Sequence, residues 1–303
     1  MKWRKLGLIY RPNGGREWSK SHASVPIADH QLGDIYRIIF TTRDASNRSH
    51  IGWFEMDIGN PGKLLNESDT PILAPGKLGA FDMDGVMASA LVNLGNEKRL
   101  YYIGWNRAIG VPFRNSIGLA IQTGDTYHFQ RYSDGPVLDR GPTDPYFMAS
   151  HDVIIEANSW HIWYLSGLDW LPGDPPQSTY NLRYAVSENG IEWQRSGTIA
   201  LDFEHENEIA IARPCVQHDS DKWRMWYCYR GRDFAYRIGY AESENAVQWY
   251  RRDDEAGIAV SQDDWDSEMI CYPYVFDHKG DRYMLYNGNG YGASGIGLAI
   301  LEG

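Results

Sequence analysis

The fold is decided by residues 206–244, which read ENEIAIARPCVQHDSDKWRMWYCYRGRDFAYRIGYAESE. Three segments in this stretch are rich in apolar and aromatic residues, at 209–217, 223–229 and 236–242, and clusters of turn-forming residues separate them. Short segments of this composition between turn signals are typical of β-strands joined by hairpins. The stretch therefore predicts three consecutive antiparallel strands.

The same pattern of three strands occurs five times along the chain. It is easiest to align at the third strand, and the five copies of that strand begin at Ile51, Ile117, Leu182, Ile238 and Ile296. Successive copies are about 60 residues apart, which is long enough for one small sheet but contains no helical pattern. A repeat of this kind indicates small antiparallel sheets arranged radially around an axis.

We therefore expect an all-β fold, a five-bladed β-propeller that forms a single domain over residues 1–303. The outer strand of each blade is weaker in sequence, and the candidates for it are residues 129–132, 191–196 and 247–251. The fifth copy ends without an outer strand, and we expect residues 3–10 to complete it and close the ring, which would protect the sheet edges. A two-sheet sandwich is the alternative, and five regular copies disfavour it.

Composition excludes some classes of partner and location. The net charge of -11 disfavours nucleic acids and acidic membrane surfaces, because binding to phosphates needs a basic protein surface. Residues 1–10 contain too few consecutive apolar side chains for a signal peptide, and no segment is long enough to span a membrane. The three cysteines, Cys215, Cys228 and Cys271, fall in predicted strands and suggest reduced thiols. We expect a cytoplasmic protein without membrane insertion.

The first strand of each propeller blade lines the central channel, so side chains near its start converge on one place. Most of the residues at these positions are acidic, and the full set is Ser21, His22, Asp82, Asp84, Asp144, Tyr146, Glu208, Asp266 and Glu268. A ring of carboxylates is costly unless it serves a cation, a proton relay or a polar ligand. The alternative is that single acids cap turns or pair with Arg43 and Arg213.

Polar and aromatic residues recur where the second strands end. They are Arg43, Asp44, Trp105, Asn106, Arg230 and Asn287, and Trp170 lies in the long loop at 168–178. Sugars are bound by directional hydrogen bonds and by flat apolar faces, which these side chains offer. Each Asn or Asp could equally be an ordinary turn residue.

The sequence supports no cofactor. His22, His151 and His205 lack the spacing of zinc ligands, and the glycine-rich residues 288–292 lack the helix that phosphate-binding loops use. The channel acids would offer oxygen ligands to a calcium ion, but no loop motif supports such a site.

Four segments carry a family resemblance, namely Phe81-Asp82-Met83-Asp84-Gly85, Ala212-Arg213-Pro214, Tyr236-Arg237-Ile238-Gly239-Tyr240 and Tyr286-Asn287-Gly288-Asn289. With the fivefold repeat, they resemble the five-bladed propellers of glycoside hydrolase families 43, 32, 68 and 130, the arabinanase, invertase and levansucrase group. Uncharacterised bacterial homologues associated with surface-polysaccharide genes are similar over the whole chain.

The resemblance implies three catalytic acids. It places a general acid at Glu208 and an orienting aspartate at Asp84, whereas the aspartate of the first blade is replaced by Ser21-His22. His22 would then serve as the base, or Glu268 or Asp266 would replace the missing acid. Cleavage of a glycoside needs one protonated and one ionised carboxyl group, and crowding of acids can separate their pKa values.

Two functions from different classes follow. The first is a carbohydrate-active enzyme that hydrolyses or transfers a glycosyl unit, the latter in surface-polysaccharide biosynthesis. The second is a propeller that binds a glycan or a nucleotide sugar without catalysis, which the missing aspartate favours. The residues predicted to contact the ligand are Asp82, Arg43, Asp44, Trp105, Tyr146, Trp170, Arg213, Arg230, Asp266 and Asn287.

Overall fold

The computed structural model describes residues 1–124 and 126–303 and is built almost entirely of β-strands. The strands are β1 Trp3–Tyr10, β2 Ser21–Leu32, β3 Ile35–Arg43, β4 Ser49–Asp57, β5 Leu64–Glu67, β6 Gly85–Asn93, β7 Glu97–Arg107, β8 Phe113–Thr123, β9 Gln130–Arg131, β10 Met148–Glu156, β11 Ser159–Leu171, β12 Gln177–Ser187, β13 Ile199–Leu201, β14 Glu208–His218, β15 Trp223–Gly231, β16 Arg237–Ser243, β17 Tyr250–Arg251, β18 Cys271–His278, β19 Asp281–Asn287 and β20 Ile296–Leu301. The helical elements are a 3-10 turn at Asp253–Glu255 and the short α1, Asn289–Gly292. The prediction of an all-β fold is confirmed.

The strands pair antiparallel in groups of four. Group one is β2–β5, group two β6–β9, group three β10–β13 and group four β14–β17, while group five consists of β18–β20 and β1. Strand β1 has the predicted bounds and pairs with β20, from Trp3 opposite Leu301 to Tyr10 opposite Ile296. The first strands of successive groups contact each other, and β18 also contacts β2.

One outer strand differs from the prediction. The fourth strand of group three is β13, Ile199–Leu201, whereas residues 191–196 contribute only an isolated bridge between Gln194 and Val186. The segment at 191–196 follows a tight turn in which Asn189 accepts backbone hydrogen bonds, and the chain returns to the sheet only later. Short outer strands are weakly specified because few of their side chains are buried.

The hydrophobic core lies between neighbouring groups and not within them. Between groups five and one, for example, Phe40 and Phe54 pack with Phe276 and Leu285, all at most 8% exposed. Four similar clusters lie between groups one and two, two and three, three and four, and four and five. Each buried aliphatic or aromatic side chain contributes about 1.5–3 kcal/mol, so neighbouring groups stabilise one another through the apolar surface that they share.

Three first strands change register at a proline. The irregularities lie at Pro26, Pro214 and Pro273, and the preceding residues Val25, Arg213 and Tyr272 have positive φ angles of 52°, 52° and 54°. Such bulges re-aim side chains and store strain, which is common beside functional sites. In the part of the chain that the structure describes, no helix is long and apolar enough to cross a membrane.

Candidate functional site

All five groups meet at one pocket. The first strands contribute Val25, Met87, Ala149, Ala212 and Tyr272 to the lining of a cavity of about 160 Å³. Aromatic and aliphatic side chains complete its wall, namely Ile103, Phe113, Phe147, Leu165, Tyr180 and Tyr236. The bulges before the prolines aim Val25 and Tyr272 into this place.

A larger, more polar pocket adjoins the first and shares Met87, Phe113 and Asn115 with it. Its volume is about 330 Å³, and its other lining residues are Thr41, Arg43, Asn47, Ser49, Trp105 and Pro112. We call the two pockets together the central cleft. Its size and its mixture of aromatic and hydrogen-bonding groups fit a small polar ligand.

Trp105 and Arg43, both predicted to contact the ligand, line the cleft directly. The indole Nε1 of Trp105 donates to the Ser49 hydroxyl at 2.6 Å, which fixes the ring plane. This bond requires a glycine at position 85, because a Cβ atom there would lie 2.3 Å from both Ser49 Oγ and Trp105 Nε1. Trp170 lies behind the wall and packs on Phe113, with ring centroids 5.2 Å apart.

His22 lies at the start of β2, and the neighbouring Ser21 pairs with Arg43 in the strand register. The His22 Nδ1 atom is 2.9 Å from the Ser21 hydroxyl. Burial and the nearby guanidinium of Arg43 lower the pKa of His22 to about 4. The imidazole is therefore neutral at neutral pH and has a lone pair with which it could accept a proton.

Arg230 lies beside the aromatic part of the cleft. Its guanidinium carbon is 5.8 Å from the ring centroid of Tyr180 and 5.7 Å from that of Tyr236. The two tyrosine hydroxyls are 2.5 Å apart and form a hydrogen bond. Both rings belong to the cleft lining, so the predicted residue Arg230 is one side chain removed from it.

Several predicted channel acids lie instead in a repeated buried cluster. Asp82, Asp144 and Asp266 are each at most 1% exposed and accept a hydrogen bond from a tyrosine twenty residues later in the chain. Each also pairs with a cation on an outer strand or the segment before it, and the pairs are Asp82–Arg131, Asp144–Arg195 and Asp266–Lys5. These carboxylates fasten the strands of a group together and do not line the cleft.

Glu208, the predicted general acid, lies in a similar arrangement. Arg251 donates to its two carboxylate oxygens at 2.7 Å each, and the Glu204 amide donates at 2.9 Å. Burial opposes the charged form, but the bonds from Arg251 and Glu204 outweigh it and lower the pKa of Glu208. Its surroundings thus favour the ionised carboxylate, which is the wrong form for a proton donor.

Two other predicted acids lie near the surface. Asp84 precedes β6 and accepts a hydrogen bond from the Arg107 amide at 2.8 Å, and Glu268 is exposed in the loop before β18. The Glu268 carboxylate has no ion pair or hydrogen bond among residues 1–124 and 126–303. These two carboxylates are therefore more accessible to a ligand than Glu208.

The remaining predicted residues have structural surroundings. Asp44 accepts bonds from Arg48 and His50 within its own hairpin, and Asn287 joins β19 to β2 through Val25 and Ala23. Arg213 is fully buried and donates to the carbonyl groups of His151 and Pro26. Tyr146 is 37% exposed.

Sequence reasoning missed much of the cleft lining. The missed residues include Asn47, Ser49, Met87, Phe113, Asn115, Tyr180, Tyr236 and Tyr272. Tyr272 could have been found, since it precedes Pro273 as Arg213 precedes Pro214. The described residues bring together no three His, Cys, Asp or Glu side chains that could hold a metal ion.

No family model matches the chain. Two Mycobacterium tuberculosis proteins, described as uncharacterised, are each 43% identical over 302 residues, and the alignments cover 100% of both partners. They are MT1551 of strain CDC 1551 / Oshkosh and Rv1502 of strain ATCC 25618 / H37Rv.

Solved structures with a similar fold include several glycoside hydrolases. BT0996, solved in a complex with RGII, superposes with a TM-score of 0.76 at 19% identity, over 98% of this chain and 90% of that one. A thermostable family-43 glycoside hydrolase gives 0.67 at 16% identity, over 94% and 90%. The GH32 beta-fructofuranosidase BmSUC1 of Bombyx mori gives 0.65 at 13%, over 98% and 62%. The resemblance to the propeller glycoside hydrolases is thus confirmed for the fold.

Proposed function

The chain belongs to the family that includes MT1551 and Rv1502 of Mycobacterium tuberculosis, and we propose that it is a glycoside hydrolase-like protein that binds carbohydrate in the central cleft. The supporting observation is that all five first strands meet at this cleft, where Trp105 presents a fixed ring beside Arg43, Asn47 and Asn115. Aromatic faces cover the apolar side of a sugar ring, and amide and guanidinium groups bond its hydroxyls.

The arrangement of the groups supports a five-bladed propeller closed by β1. Each group has the four antiparallel strands of a blade, and the contacts among first strands run from β2 through β6, β10, β14 and β18 back to β2. The pairing of β1 with β20 supports closure through the N-terminal strand. In this architecture the central cleft lies at the mouth of the channel.

For catalysis we propose the two accessible acids, Asp84 and Glu268. One carboxyl group would protonate the leaving oxygen, and the other would activate water or attack the anomeric carbon. Neutral His22 is a further candidate base. Transfer to a sugar hydroxyl would use the same groups, with the hydroxyl in place of water. In this proposal Glu208 stabilises group four through Arg251 and transfers no proton.

Binding without catalysis is the second candidate. One observation favours it: within residues 1–124 and 126–303, no carboxylate lines the central cleft. A hydrolase of this design would therefore need Asp84 and Glu268 to reach the ligand from the rim.

The test combines binding with turnover. Thermal unfolding would be followed with a panel of mono- and oligosaccharides, and release of nitrophenol from aryl glycosides would measure hydrolysis. We expect Trp105→Ala to abolish stabilisation by the sugar. We expect Asp84→Asn and Glu268→Gln to abolish turnover while stabilisation remains.

Glu192→Gln is the control, because Glu192 is exposed on group three away from the cleft lining. Stabilisation without turnover in the wild type would favour the binding function. Stabilisation that survives Trp105→Ala would contradict the proposed site.

A further inference from the structure

In the part of the chain that the structure describes, two arginines beside the central cleft lack an acidic partner. The chain has an excess of acids, with 40 Asp and Glu against 29 Lys and Arg, and many of its arginines form ion pairs. In the described ranges, however, neither Arg43 nor Arg230 has a carboxylate within ion-pair distance. Five further arginines of the described ranges, among them the buried Arg213, lack such a partner as well, so Arg43 and Arg230 are singled out by their position at the central cleft.

Arg43 lines the cleft and makes one side-chain hydrogen bond to the described residues, from Nη1 to Asn47 Oδ1 at 2.8 Å. The neighbouring Asp44 does not neutralise it, because that carboxylate accepts bonds from Arg48 at 2.9 Å and from His50 at 3.1 Å. The other N–H groups of Arg43 remain for a ligand, since a guanidinium carries five donors and stays charged.

Arg230 is half-buried, and its guanidinium lies over the rings of Tyr180 and Tyr236. The ring faces attract the cation but carry no net charge. A partly desolvated guanidinium without a carboxylate is costly, and an anion reaching it would offset that cost. Arginine binds carboxylates and phosphates through two parallel hydrogen bonds, which gives both strength and direction.

We propose that the ligand of the central cleft is a sugar with a negatively charged substituent, a carboxylate or a phosphate, that Arg43 binds that charge, and that Arg230 attracts it from behind the Tyr180 and Tyr236 rings. This inference rests on the proposed function, namely that the cleft binds carbohydrate. The cleft has room for a sugar unit, and its tyrosines and Trp105 supply the apolar faces while the arginines select the charge.

The first experiment compares three probes of the same ring size: glucose, glucuronate and glucose 1-phosphate. Titration calorimetry on the intact protein would measure the affinity for each. We expect at least one anionic probe to bind about tenfold or more tightly than glucose, because hydrogen bonds to charged groups contribute that much. Comparison of glucuronate with glucose 1-phosphate identifies the carboxylate or the phosphate as the preferred group.

The second experiment repeats the titrations with Arg43→Gln and Arg230→Gln. Each variant should bind the preferred anionic probe about tenfold more weakly and glucose unchanged. Lys63→Gln is the matched control. Lys63 is exposed and follows the end of β4 that lies opposite the cleft residue Ser49, so its substitution should change neither affinity. Thermal unfolding verifies that each variant is folded. If Arg230→Gln is unstable, Arg43→Gln alone carries the test, because the contact of Arg43 with Asn47 is exposed.

The outcomes separate the two proposals. Equal affinity for glucose and for both anions, with no effect of either arginine variant, would overturn the anionic ligand and leave the carbohydrate-binding cleft standing. Failure of all three sugars to bind would overturn both. Weaker binding of the anionic probe in high salt, with glucose unaffected, would support the role of charge.

Discussion

His22 and Arg43 form a pair whose electrostatics can be measured directly. Burial and the positive charge of Arg43 lower the pKa of His22 to about 4. Because the unfolded state binds this proton more readily, stability from this group should fall as the pH decreases from about 6.5 towards 4. Because Arg43 also lines the cleft, a ligand that binds Arg43 would change the pKa of His22.

We expect NMR titration of the His22 ring to give a midpoint near pH 4. Arg43→Gln should raise that midpoint, because it removes a positive charge from the vicinity of the imidazolium. Lys63→Gln should leave it unchanged. A midpoint near 6.5 in the wild-type protein would show that neither burial nor Arg43 acts on the ring.

Glu208 tests whether the buried ion pair is structural. Glu208→Gln should destabilise the fold by about 3 kcal/mol, because Arg251 loses a buried partner. The exposed Glu268 provides the comparison, and Glu268→Gln should change stability by less than about 0.5 kcal/mol.

Urea unfolding at several pH values measures the difference in stability between Glu208→Gln and the wild type. The pKa of Glu208 is lowered by Arg251 and the Glu204 amide against the effect of burial, so the stabilisation is present above the unfolded pKa of about 4.5 and is lost as the pH falls below it. Equal stabilities of Glu208→Gln and the wild type at pH 7 would argue against a structural role.

At the scale of the strands, a recurring cluster of an acid, a tyrosine and a cation joins the strands of a group through polar contacts. In group five it joins Asp266 and Tyr286 to Lys5 on β1, with a Lys5 Nζ to Asp266 Oδ2 distance of 2.6 Å. The cluster therefore ties the first strand of the chain to its last group. Lys5 and Asp266 are 261 residues apart in the sequence, so the contact exists only in the folded chain.

We expect Lys5→Gln to destabilise the protein by about 3 kcal/mol, because it leaves the buried Asp266 carboxylate without a cation. Lys2→Gln is the matched control on the same segment. Lys2 pairs with Glu302 at the surface, and such pairs contribute about 0–1 kcal/mol. Thermal unfolding would compare the melting temperatures of the two variants. Similar melting temperatures would contradict a role for Lys5 in holding β1 to the rest of group five.

For the molecule as a whole, the location of the core between groups favours cooperative unfolding. Each cluster shares its residues between neighbouring groups, so loss of one group exposes the apolar faces of two others. The prediction of one domain over residues 1–303 implies the same cooperativity.

We therefore expect a single unfolding transition. Circular dichroism and tryptophan fluorescence should give coincident midpoints in urea, because the 12 tryptophans report on the same unit as the strands. Two separated transitions would indicate independent units and contradict the single domain.

The repeat of about 60 residues predicted the all-β class and the three strands within 209–242, and the missing outer strand of the fifth copy predicted β1 at residues 3–10, because alternation and turn residues are local properties of a sequence. It also indicated Arg43 and Trp105, since the ends of equivalent strands must lie near one another in a repeated structure. The outer strand of group three was misplaced, because so short a strand carries little pattern of its own.

Which acids are free depends on how the strands pair and pack in the folded chain. Asp82, Asp266 and Glu208 look like channel acids in the sequence, but Arg131, Lys5 and Arg251 reach them from the outer strands of the same groups. Within residues 1–124 and 126–303, the same folding leaves Arg43 and Arg230 beside the cleft without a carboxylate partner. A sequence pattern places a side chain on a strand, whereas its charge partner depends on which strands pack together, and that is a property of the assembled groups.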